Sequence, residues 1–132
     1  MDLWQRFDVP ENLSGYMQAY LNWQNKHPME FSHIEIPMVH EEKYFAGTPD
    51  RISTTGEVID IKSGLKEPSH LIQSAGYMML KPDLIKKRSC LYLHEDGTFE
   101  YIVHDDSADL RVFDAALYIY QWKQKAKEKK KK

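Results

Sequence analysis

Between Glu11 and about Lys26 the apolar positions recur at helical spacing: Leu13, Met17, Tyr20 and Leu21, with Gln24 next in line, fall on one face. Tyr16 and Trp23 flank that face, and Met and aromatic residues at this spacing are core far more often than they are ligands. His27-Pro28 ends the helix, because proline disfavours helical geometry in the residue before it. Ahead of it, residues 1 to 10 form a lead-in with Trp4 and Phe7 as anchors and Pro10 as a start signal. From His33 to His40 the period changes to two. Ile34, Ile36 and Met38 lie on one side of a strand, Glu35 and Pro37 on the other, and Pro37 marks an edge or a bulge. Past a Glu41-Glu42-Lys43 turn, Gly47 allows close backbone approach. Two β-type runs follow, Thr48 to Ser53 and Glu57 to Lys62, around a Thr-Thr-Gly turn.

Beyond Pro68, Ser69 is the expected N-cap of a helix that runs to about Leu80 and halts before Pro82. Leu71, Ile72, Ala75, Met78 and Met79 make its inward stripe, while His70, Gln73 and Tyr77 form a separate polar seam. A solvated face would favour Lys and Glu over Tyr and Gln, so this seam is a candidate for contact with a substrate. Residues 89 to 95 and 98 to 104 flank Asp96-Gly97, a strong hairpin signal. Asp105 or Asp106 caps a last helix reaching about Lys125, with Leu110, Phe113, Leu117 and Tyr120 inward. Helix, three strands, helix, two strands and helix make an α/β (α+β) chain without an internal repeat. One domain is expected over residues 1–122, followed by a basic, disordered tail over 123–132.

At 132 residues, 42% apolar and 12% aromatic, the composition is that of one ordinary globular domain. No apolar run approaches the roughly 18 residues a membrane span needs, and the acidic, Trp-containing N-terminus is unlike a signal peptide. The single cysteine, Cys90, excludes an intramolecular disulfide and a four-cysteine metal or Fe–S site, and its apolar neighbours place it in the core. An intracellular, cytoplasmic location is the expectation. The net charge of −2 hides an asymmetry, since residues 123 to 132 hold seven lysines and one glutamate. The remainder keeps 11 basic and 19 acidic residues, a charge of −8. Such a body does not attract nucleic acid by charge alone.

The chemistry gathers on the central hairpin. Asp60 and Lys62, two apart in a strand, share a face, with Ile59 and Ile61 on the other. Asp50 joins them only if 50 lies across from 60, which requires an odd connection; a two-residue Thr55-Gly56 turn would send it to the opposite face. The odd loop is the reading adopted. Two acids and an ammonium among isoleucines and valines are costly to bury without compensation, and a divalent cation between the acids offsets their repulsion. Lys62 then faces the place where negative charge develops, a layout suited to phosphodiester hydrolysis. Taken alone, the D-x-K triplet is more plainly an exposed surface ion pair. Lys81, Lys86, Lys87 and Arg88 form the one basic patch before the tail, the local basic rim that so acidic a body would need to attract a nucleic acid.

Gly47-Thr48-Pro49-Asp50, then Asp60-Ile61-Lys62, then Gln73-x-x-x-Tyr77 together resemble the PD-(D/E)XK nuclease superfamily, and more closely its RecB-like, phage-exonuclease branch. The resemblance implies a central mixed β-sheet flanked by helices: a restriction-endonuclease-like αβββαβ core, here with an extra strand and a C-terminal helix. It also implies a metal-dependent DNA nuclease, favouring an exonuclease, active in recombination, repair or phage DNA processing. Asp50, Asp60 and the Ile61 carbonyl would hold Mg²⁺ or Mn²⁺. Lys62 would orient or help deprotonate the attacking water, and Gln73 and Tyr77 would support the site and touch DNA. His70 is an additional candidate, as is Glu35, for which an exposed strand position is the plainer reading. Many members of this branch carry a further His or Glu ligand on an upstream helix; here the first helix offers only Glu11 and His27. The implied partners are DNA, a helicase or single-strand annealing protein, and a further copy of the chain. Two other readings keep the fold: an inactive DNA-binding or docking module, and a resolvase or restriction-type endonuclease.

Overall fold

A computed structural model describes residues 11–131; the lead-in residues Trp4, Phe7 and Pro10 lie outside that range. A single 3-10 turn, Glu11–Leu13, leads into α1 (Ser14–Lys26). Five strands form the main sheet: β1 (Phe31–Ile34), β4 (Arg51–Ser53), β5 (Glu57–Lys62), β6 (Lys87–Leu93) and β7 (Phe99–His104), in the spatial order β1-β4-β5-β6-β7. Between β1 and β4 the chain makes a separate antiparallel ribbon of β2 (Met38–His40) and β3 (Phe45–Gly47). Only β5 and β6 run parallel, joined by the crossover helix α2 (Pro68–Leu80), and α3 (Ala108–Lys131) closes the chain. The result is a mixed sheet with helices on its faces.

Alternation along β5 divides the core in two. Ile59, with Leu91 and Leu93 of β6, packs against Ala19 and Trp23 of α1. Val58 points the other way, to Ile52, Met38, Ile85 and Leu80 at the end of α2. Burying a large aliphatic side chain stabilises the fold by roughly 1.5–3 kcal/mol, so both faces contribute to holding the helices on the sheet. α1 is turned from its expected orientation: Leu13 is exposed, and Tyr16, Ala19, Tyr20 and Trp23 face the sheet. The small residues explain the rotation. A Cβ on Gly15 would stand 1.6 Å from the Glu95 carbonyl oxygen, so a residue without a side chain is what lets this edge of the helix sit against the turn between β6 and β7.

The strand expected over 33–40 is broken. Glu35 takes a left-handed backbone (φ 51°), Ile34 and Ile36 stay exposed, and pairing resumes at Met38, beyond the proline that lacks an N–H. The first arm of the central hairpin is shorter than expected, starting at Arg51, and β6 starts two residues before Ser89. The N-cap of α2 is Glu67, in a reciprocal capping box with His70, and Pro68 rather than Ser69 begins the helix. Asp106 Oδ1 accepts the Ala108 N–H at the start of α3. That helix runs on through the lysine-rich segment as far as Lys131, where a disordered tail was expected over 123–132; Lys132 lies outside the described residues. Tyr120, expected inward, is 60% exposed. No helix among the described residues is long and apolar enough to cross a membrane.

Candidate active site

The connection between β4 and β5 has the odd length on which the hairpin argument turns. Arg51 pairs with Ile59 and Ile52 with Val58, which leaves Thr54-Thr55-Gly56 as the loop and sets Asp50, one step further, across from Asp60. Gly56 adopts φ 90°, a conformation that side chains resist, and its carbonyl accepts the Lys86 N–H at 2.8 Å. Asp50 is held firmly. Its carbonyl accepts the Glu35 N–H at 3.1 Å and Arg51 Nη1 at 2.8 Å, and its Oδ2 accepts the Ile61 N–H at 2.7 Å. Glu35 thus contributes a backbone N–H to the site, while its side chain is exposed.

Asp60 is 2% exposed. Its Oδ2 lies 3.3 Å from Lys62 Nζ, within ion-pair range, yet accepts no hydrogen bond of proper geometry and is shut off from solvent. Burial pushes this carboxyl up to about 6; the adjoining Asp50 carboxyl adds to the rise, and the Lys62 ammonium opposes it. Lys62 Nζ donates to Gln73 Oε1 at 2.6 Å, and Gln73 Nε2 donates to the Tyr77 hydroxyl at 3.1 Å. The i, i+4 spacing on α2 stacks Gln73 and Tyr77 on one face. Burial, then the charges of Asp60 and Asp50, raise the Tyr77 phenol. Five side chains, Asp50, Asp60, Lys62, Gln73 and Tyr77, therefore form one connected polar chain that runs from the residue before β4 through β5 to α2. On the far side of Gln73 and Tyr77 lies a cleft of about 340 Å³ walled by Phe45, Leu80, Phe113 and Leu117.

Other candidates fall elsewhere. His70 Nδ1 meets the Tyr92 hydroxyl at 2.9 Å, and its ring belongs to the capping box of α2. Sequence reasoning left Tyr92 in an apolar run; the parallel register that sets it beside Lys62 is a long-range fact with no local signal. Arg88 is buried: it pairs with Asp109 at 2.6 Å and donates to the Leu71 and Asp106 carbonyls and to Ser74 Oγ. A guanidinium so engaged is not available to a phosphate, so Arg88 leaves the basic patch. Lys87 pairs with Glu57, Lys86 Nζ donates to the Pro82 carbonyl, and Lys81 is exposed at the end of α2. All three sit at the starting end of β5 and β6, away from Lys62 at the other end. His27 caps α1 and packs edge-on to Tyr101, on the opposite face of the sheet from Asp60.

The acids suit a hard divalent cation, which takes oxygen ligands: two adjoining carboxylates, one of them with a buried oxygen lacking a hydrogen bond. The Ile61 carbonyl lies between Asp60 and Lys62 in the chain. Among the described residues no group of three or more His, Cys, Asp or Glu side chains converges on a metal position, so an ion there would complete its shell with backbone, water or substrate oxygens.

No family model matches the chain. No curated protein matches it either. Among solved structures it is similar to an alkaline exonuclease, LHK-Exo, from Laribacter hongkongensis, at 16% identity and a TM-score of 0.54, over 91% of this chain and 72% of that one. LHK-Exo in complex with dAMP gives 17% identity and a TM-score of 0.52 over the same shares. What is shared at such identity is architecture: the chain has a mixed α/β fold like that of an exonuclease.

Proposed function

We propose that this chain is a DNA nuclease that depends on Mg²⁺ or Mn²⁺, acting as an exonuclease. The observation that supports it best is the Asp60 carboxylate, buried beside a second acid, with an oxygen that accepts no hydrogen bond of proper geometry although a lysine ammonium stands 3.3 Å away. Such an arrangement is unfavourable in a metal-free protein and becomes favourable once a cation sits between the acids. Asp50 and Asp60, with the Ile61 carbonyl, are the residues that would hold it. When bound, the ion would supply neutralisation of phosphate charge and activation of water. Lys62 directs its ammonium to the same region, where it would orient water or stabilise charge as water attacks phosphorus and a P–O bond breaks. Gln73, gripping Lys62 Nζ, positions that ammonium, and Tyr77 holds Gln73. The exonuclease fold of LHK-Exo, which has been seen with dAMP, agrees in kind with a nucleotide substrate.

The absence of a third acidic or imidazole ligand among the described residues favours a second reading, a nuclease-fold module that binds DNA without cutting it. Incubation of linear and closed-circular DNA with Mn²⁺, with and without chelator, separates the possibilities. Loss of linear DNA alone, abolished by EDTA and by Lys62→Ala, is the expected result. Cleavage that survives EDTA and Lys62→Ala contradicts the assignment; retention without cleavage supports the binding module, and cutting of circles supports an endonuclease.

A further inference from the structure

Helix α3 is apolar on two opposite faces. One face packs inward: Phe113 lies against Gly76 of α2, where a Cβ would meet its ring at 2.4 Å, and its ring centroid is 5.0 Å from that of Phe45. Leu110 and Leu117 flank it, half-buried. The other face carries Val112, Ala115, Ile119, Trp122 and Ala126, at steps of three, four, three and four residues. At 3.6 residues per turn these fall on one stripe directly opposite Leu117. Val112 is 47% exposed, Ile119 53% and Trp122 62%, and no described residue covers them. The solvent side of a surface helix is normally polar. A stripe at this spacing, with an indole near its middle, is instead the pattern of a helix–helix seam.

Charge along the helix indicates what covers the seam. The stretch leading into and through its first half holds Asp105, Asp106, Asp109 and Asp114 with Arg111 the one base; the second half holds Lys123, Lys125, Lys127, Lys129 and Lys130 with Glu128 the one acid. Asp109 and Asp114 already pair with Arg88 and Lys43, so the exposed Asp105 and Asp106 carry most of the remaining negative field. Two such helices side by side in parallel would set lysine against lysine. Turned end for end, the basic half of each meets the acidic start of the other. The stripe is nearly symmetric about Ile119, so the same turn sets Val112 opposite Ala126 and brings Trp122 near Ala115, large against small. We propose that α3 pairs antiparallel with α3 of a second copy of this chain, about a two-fold axis near Ile119, an isologous contact. The helix is about 36 Å long, enough for the whole stripe to be covered. The pairing is independent of the nuclease reading.

Sedimentation equilibrium on the full chain tests it. The wild type is expected to be a dimer at micromolar concentration, and Ile119→Glu or Trp122→Glu to weaken association at least about tenfold. Both positions are exposed, so circular dichroism and the melting temperature should be those of a folded chain. Orientation is read by disulfide cross-linking, which the buried Cys90 does not disturb. Ile119→Cys is expected to cross-link to itself, and Val112→Cys only to Ala126→Cys. A charge reversal gives a further check: a chain with Lys127→Glu, Lys129→Glu and Lys130→Glu should pair preferentially with one carrying Asp105→Lys and Asp106→Lys. A monomeric wild type, an assembly indifferent to Trp122→Glu, or self-cross-linking of Val112→Cys would each overturn the proposal.

Discussion

Strand β5 carries two buried carboxylates three residues apart, and they are treated in opposite ways. Glu57 is 6% exposed and Asp60 2%, and each has a lysine at 3.3–3.4 Å. Around Glu57 the fold completes the hydrogen bonding: Ser89 Oγ donates at 2.8 Å, the Tyr101 hydroxyl donates to the same oxygen, and Lys87 faces the other. Burial and this carboxylate raise the Tyr101 phenol, which keeps it a donor. Around Asp60 the fold instead supplies a second carboxylate and leaves an oxygen without a hydrogen bond. A buried charge that is fully partnered contributes to the fold; one left short stores a cost that a ligand can relieve. Under the proposed function, the contrast sets Glu57 among the groups that hold the fold together and Asp60 among those that would hold an ion.

The largest expected separation is in cleavage. Asp60→Asn should reduce metal-dependent DNA cleavage by at least about 10²-fold, since several kcal/mol of charge stabilisation depend on the ion. Glu57→Gln, measured in the same assay, should stay within a few-fold of wild type. Equal losses would remove the distinction between the two acids.

Stability should move in opposite directions. Glu57→Ala leaves the Ser89 and Tyr101 hydroxyls without their acceptor and should cost about 2 kcal/mol or more, whereas Asp60→Asn should raise the stability of the metal-free protein at neutral pH. Urea unfolding of both variants in chelator measures the two signs.

The pH dependence sharpens this further. Asp60 is held at about 6 in the fold against 3.8 for the ordinary group. Below 3.8 the carboxyl is protonated in folded and unfolded chains alike. Between 3.8 and about 6 only the folded chain keeps the proton, so stability from this group is lost as pH rises through that window. The advantage of Asp60→Asn over wild type should therefore be small at pH 4 and full by pH 7. A constant gap between their melting temperatures across that range would contradict the raised carboxyl.

Gln73→Ala gives the smallest change. Gln73 is exposed, so stability should shift by no more than about 0.5 kcal/mol. Freed from its grip, Lys62 should lose alignment and turnover should fall about tenfold, with little change in DNA affinity. A loss confined to affinity would make Gln73 a DNA contact and not a positioning residue.

Much of this site was legible in the sequence because it is local. Thr54-Thr55-Gly56 sets the loop length, the loop sets the register, and the register aligns Asp50 with Asp60; the spacing of Gln73 and Tyr77 needs only the helical period. What was not legible depends on distant partners. Arg88 stands in a run of basic residues, and its burial rests on Asp109, Asp106 and Leu71, seventeen or more positions away. α1 turned because Gly15 and Ala19 are small, a criterion of fit that hydrophobic periodicity does not weigh. On α3 the two apolar stripes sit on opposite sides, so no single face stands out from the pattern. The strand expected through Glu35 failed at one backbone angle.

Mn²⁺ binding, followed by calorimetry on wild type, Asp60→Asn and Glu57→Gln, tests the difference between the two acids at its root. Binding by the wild type and Glu57→Gln, lost in Asp60→Asn, is the predicted result. Undiminished binding by Asp60→Asn, or none by the wild type at millimolar Mn²⁺ with DNA present, would contradict it.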